Sequence, residues 1–125
     1  MKFKILCLGN EFILEDSLAK KIGRELKNKG FDVLNLENSY QLIENLQSDE
    51  KIIILDVVEN LDNVKFVDID NLSQNKILTL HDLDSCFFLK LFGKKKDIKI
   101  IGIPQKGNFE KIKNMVLELI KNFSF

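Results

Sequence analysis

The chain has 125 residues, 45% of them apolar and 30% charged, and its 19 basic residues balance 19 acidic ones to a formal net charge of zero. That size and composition fit one globular domain with a core of its own and exclude a disordered chain. The charge balance excludes the one-signed field of a nucleic-acid or anionic-membrane binder, and no run nears the roughly 18 apolar residues of a membrane span.

Residues 3–8, "FKILCL", hardly alternate and predict a strand buried on both faces. A loop follows with Gly9, Asn10, Glu11, Glu15 and Asp16. From Ser17, apolar residues at Leu18, Ile22 and Leu26 recur every four positions, and Gly30 supplies the stop of an amphipathic helix. Residues 31–36, "FDVLNL", predict a second strand, and Tyr40, Ile43 and Leu46 a short helix capped by Asn38. Residues 51–58, "KIIILDVV", form the most hydrophobic strand and are expected at the centre of a sheet. Residues 64–69, "VKFVDI", alternate as a half-exposed edge strand does. Thr79 and Asp82 have the spacing of a capping box, opening a Leu- and Phe-rich helix that ends near Phe92. Lys94-Lys95-Lys96 reads as a solvated loop. Residues 97–103, "DIKIIGI", predict a strand stopped by Pro104, and Phe109, Ile112, Val116, Leu119 and Phe123 draw a last helical stripe.

Strands alternating with helices imply a single domain over residues 1–125. It is expected to be a three-layer α/β/α sandwich, with a mainly parallel five-stranded sheet, right-handed crossovers and an antiparallel edge strand. Such sheets bind ligands beyond the carboxyl ends of their strands, where the strand order reverses. Cys7 and Cys86, in a strand and an apolar helix, read as small core residues rather than a disulfide or a metal pair. The N-terminus lacks the pattern of a signal peptide, so a cytoplasmic protein is expected.

Four polar features fall at the carboxyl edge, each with a plain reading beside a functional one. Asp16 could cap the first helix and complement its dipole, or bind a ligand. Asp56, near the end of the most apolar strand, costs several kcal/mol to bury unless it is hydrogen-bonded or meets a cation. His81, the single histidine, fits a surface or core position as well as a ligand site. Pro104-Gln105-Lys106-Gly107 has the composition of a turn. Two carboxylates and an imidazole suit a borderline divalent ion such as zinc or nickel. Periodicity puts them at one edge without putting them within bonding distance. No Ser-His-Asp or Cys-His arrangement supplies a conventional nucleophile.

Cys7-Leu8-Gly9-Asn10, the apolar Phe12-Ile13-Leu14, the acidic pair Glu15-Asp16 and Ser17-Leu18-Ala19 together resemble the opening of the hydrogenase maturation endopeptidases. "IIGIPQ" resembles that family's Gly-x-x-Pro-Glu segment. The resemblance implies an aspartic-type endopeptidase that trims the C-terminal extension of a nickel-iron hydrogenase large-subunit precursor. It places the family's metal ligands, which are also its catalytic positions, on Asp16, Asp56 and His81, with Gly9 and Asn10 as the supporting loop. The metal implied is nickel carried by the precursor, though zinc or cadmium could occupy the same donors. The implied partner is that precursor, with the protease a monomer. Four departures stand out: Cys7 for the first glycine of Gly-x-Gly-Asn, Ser17 and Ala19 for two further glycines, Glu37-Asn38-Ser39-Tyr40 for a Gly-Thr loop, and a clipped segment after Pro104.

Two other readings use the same residues. A phospho-acceptor receiver domain would take Asp56 as acceptor, with Thr79 and Lys106 in support, but leaves Gly9-Asn10 and His81 unexplained. A divergent relative could bind a metallated partner without cutting it. A lone Gly9 cannot supply the glycine spacing of a dinucleotide site.

Overall fold

The computed structural model describes residues 3–8, 17–37, 39–58, 61–67 and 97–123. Five strands form one sheet: β1 (Lys4–Cys7), β2 (Val33–Asn35), β3 (Ile52–Val58), β4 (Lys65–Val67) and β5 (Ile98–Pro104). Helices α1 (Leu18–Asn28), α2 (Ser39–Leu46) and α3 (Phe109–Asn122) accompany them. The order is β2-β1-β3-β5-β4, parallel throughout except for β4 against β5. The most apolar run does lie at the centre, and the alternating run is the antiparallel edge.

Alternation along the strands splits the core in two. Ile5, Cys7, Ile53, Leu55, Ile101 and Ile103 face one side and pack with α1 and α3 through Ile22, Leu26, Ile112 and Val116. Leu6, Leu8, Ile52, Ile54 and Val58 face the other and pack with α2 through Leu42 and Leu46. Both faces are therefore covered, giving the three expected layers.

The helix ends follow from local chemistry. Gly30, at φ 98°, ends α1. Its N–H bonds the Lys27 carbonyl and that of Phe31 bonds Leu26, which closes a Schellman turn. This also explains why β2 starts at Val33 and not at Phe31. The Phe31 amide is used by the helix end, and its ring lies 6.4 Å from that of Phe3. At the other end of α1 the cap position falls on Ser17, not Asp16, with no side-chain cap bond. Ser17 and Ala19 are both buried where this helix begins.

α3 is capped by Asn108, whose Oδ1 accepts the Lys111 amide at 3.0 Å. Asn108→Ala is expected to cost about 1 kcal/mol in urea unfolding. A loss too small to measure would mean water serves that amide equally well. The predicted Asn38 cap, the end of the 64–69 run, and the Thr79–Phe92 helix with Cys86 lie outside the described residues.

Candidate functional site at the carboxyl edge

A sheet ordered 2-1-3 reverses between β1 and β3. The chain leaves β1 for α1 on one side, while β3 continues on the other. Ligand crevices form at such points, outside the carboxyl ends of the two strands. Asp56 lies on β3 at this place. It pairs in register with Gly102 of β5, and the Leu8 amide of the neighbouring β1 end bonds the Leu55 carbonyl. Asp56 shares a face with Ile54 and Val58 and is the one partly exposed residue of a strand otherwise buried from Ile52 to Val58.

The strand beside it is closely covered. Gly102 has no side chain, and a Cβ there would come within 2.6 Å of Leu61 Cδ1 and 3.0 Å of Val67 Cγ1. Leu61 thus packs over β5 at Gly102, the residue paired with Asp56. Pro104 ends β5 buried, pairing with Val58, and Lys106 in the following turn is exposed. Gly107 turns the chain at φ 140° toward α3.

Asp16, His81, Gly9 and Asn10 lie outside the described residues. The structure therefore describes one of the three predicted ligands and the strand ends that the other segments adjoin. Among the described residues no three His, Cys, Asp or Glu side chains gather as a metal site.

Two polar groups near the end of β1 escape sequence reasoning. Lys20 is only 7% exposed although it lies on a helix of mixed polarity. The Asn35 Nδ2 donates to the Lys20 carbonyl at 3.3 Å, while its buried Oδ1 finds no partner among the described residues. An asparagine inside an apolar strand was the only visible signal.

Cys7 is a free, buried thiol. Burial pushes its pKa from 9.0 up to about 12, against a smaller opposing pull from the Lys20 charge. It is accordingly a packing residue and not a nucleophile. The unfolded thiol ionises first, so stability is full below pH 9.0 and is lost as pH rises from there toward about 12. Urea unfolding across that window is expected to fall more steeply for the wild type than for Cys7→Ala. Equal slopes would show that the thiol is not held neutral.

No family model matches the chain, and no curated protein matches it. Solved structures do. The chain superposes on the [NiFe] hydrogenase maturation protease HybD from Thermococcus kodakarensis with a TM-score of 0.71 and 25% identity, covering 95% of this chain and 99% of that one. The chain is a structural relative of the hydrogenase maturation endopeptidases. The hydrogenase maturating endopeptidase HybD from E. coli shares the fold at a TM-score of 0.68 and 14% identity, over 97% and 93% of the two chains. The endopeptidase HycI from Escherichia coli does so at 0.67 and 16%, over 94% and 88%. The maturation-protease fold thus extends over nearly the whole chain, and no described helix is long and apolar enough to cross a membrane.

Proposed function

We propose that this chain is an endopeptidase that removes the C-terminal extension of a nickel-loaded hydrogenase large-subunit precursor. The observation that carries the reading is the near end-to-end match to a hydrogenase maturation protease, with Asp56 at the β1/β3 switch point. In this reading the nickel belongs to the substrate. Asp16 and Asp56 offer anionic oxygens and His81 a neutral imidazole nitrogen, a donor set suited to a borderline divalent ion. Engaging the metal through these residues would tie cutting to cofactor insertion. Hydrolysis adds water across one peptide bond, freeing the extension and leaving a new carboxylate on the large subunit.

The receiver alternative fits less well. Doubly wound receivers follow a 2-1-3-4-5 order, whereas here an antiparallel β4 lies outside β5. The test is incubation with nickel-loaded and nickel-free precursors from the same host, followed by mass measurement of the large subunit. Trimming of the loaded form alone, lost in Asp16→Asn and His81→Ala, is expected. Absence of trimming by the wild type would remove the peptidase reading, and phosphorylation of Asp56 by acetyl phosphate would replace it with the receiver. Binding of the loaded precursor without trimming would indicate a non-cleaving relative.

A further inference from the structure

Helix α1 begins at the carboxyl edge after the loop that leaves β1, and β1 pairs with the strand that carries Asp56. The N–H groups of its first turn, on Leu18, Ala19 and Lys20, have no carbonyl within the helix to meet. Ser17 at the cap position gives them no side-chain bond, and no acidic residue stands in the first turn. Ser17 and Ala19 are 2% and 0% exposed, so bulk water has little access to replace the missing cap. A buried helix start of this kind calls for an acceptor.

Lys20 adds a cation where the helix dipole is already positive, the reverse of what a first turn favours. An ammonium is costly to bury unless an anion or an acceptor meets it. Lys20 is nonetheless only 7% exposed. Its contact with Asn35 runs through the backbone, Nδ2 donating to the Lys20 carbonyl at 3.3 Å. The Asn35 Oδ1, buried beside Gly23, takes no donor, so the ammonium is not spent on it. No carboxylate among the described residues pairs with Lys20. Long helical side chains lean back toward the start of their helix, which carries this ammonium toward the uncapped amides. Its field reaches the Cys7 thiol at the end of β1, so the charge sits under the carboxyl edge. Amide donors and an ammonium at one helix end, with no acid of the helix to answer them, suit an anion.

We propose that the start of α1 and Lys20 form a carboxylate-binding subsite for the new C-terminus of the trimmed large subunit. The occupant rests on the peptidase reading above, but the carboxylate site does not. Hydrolysis leaves a carboxylate on the retained chain and an amine on the extension. Only the retained product therefore carries a new negative charge at the cut.

Two probes of similar size, N-acetyl-alanine and its amide, are titrated into the whole protein by amide NMR at matched ionic strength. The carboxylate is expected to shift the signals of Leu18, Ala19 and Lys20 saturably, and the amide is not. Lys20→Met keeps the buried length without the charge. It should bind the carboxylate at least about tenfold more weakly, the scale of one charge-assisted hydrogen bond. Lys20→Arg should recover part of that binding.

Equal shifts with both probes, no saturable shift, or undiminished binding by Lys20→Met would overturn the proposal. So would a thermal midpoint lowered alike by Lys20→Met and Glu15→Gln and no further by the pair, which would give the site to the chain's own loop. With precursor as substrate, trimmed subunit should inhibit the wild type more strongly than Lys20→Met. Equal inhibition of two active proteins would overturn the assignment to the product and leave the peptidase standing. Wild-type inactivity would remove the peptidase, while the titration still decides the subsite.

Discussion

Asp56→Asn is expected to slow trimming of a nickel-loaded precursor by at least about a hundredfold, the scale of losing one charged group at a reacting centre. The thermal midpoint should stay within a few degrees of wild type. The substitution keeps the side chain's shape, and Asp56 is only half-buried at the end of β3. What it removes is an anionic oxygen donor at the switch point. Nearby apolar residues make the contrast: truncating Leu55, fully buried one position earlier, should cost about 2–5 kcal/mol and lower activity only through unfolding. Two measurements decide it, initial rates of trimming and thermal melts on the same preparations. A rate within threefold of wild type would sink Asp56 as a ligand. Equal binding of loaded and nickel-free precursor by the wild type would sink nickel recognition itself.

Much of the fold was legible because burial writes itself into apolar runs. "KIIILDVV" has no polar alternation, and β3 indeed has a sheet neighbour on each side and a helical layer on each face. "VKFVDI" alternates, and β4 is an edge. Gly30 announces the end of α1 through the one backbone conformation other residues avoid. Asp56 could be singled out because a carboxylate in such a strand is costly. Contacts between elements were not legible. Lys20 sits among residues that read as solvent-facing, yet it is buried where α1 crosses the ends of β1 and β2. Likewise, the order of elements leads one to expect Asp16, Asp56 and His81 at one edge, but no periodicity measures the gap between them.

The same kind of hidden contact governs how α1 seats on the sheet, and it gives a large stability effect at a glycine. In an exposed helix, Gly→Ala gains about 1 kcal/mol. At Gly23 the sign reverses. A Cβ there would lie 2.5 Å from Cys7 Sγ, 2.8 Å from Asn35 Oδ1 and 3.3 Å from Val33 Cγ1. The Cys7 side chain is short and fully buried, so it cannot swing away as the end of a long chain would. Overpacking of this kind costs about 1–3 kcal/mol net, and α1 must lift from β1 and β2 to relieve it. Gly23→Ala should therefore lower the thermal midpoint by several degrees. The family that this sequence resembles carries glycine where Cys7 stands, which suggests the remedy. Adding Cys7→Gly to Gly23→Ala should recover part of the loss, with a coupling of at least about 1 kcal/mol in a double-mutant cycle. Simple additivity would show that the helix seats without this contact. Activity supplies the second readout, because α1 begins two residues after Asp16. A helix lifted from β1 displaces that start, so trimming should fall further than the unfolded fraction accounts for in Gly23→Ala. It should return with the glycine at position 7.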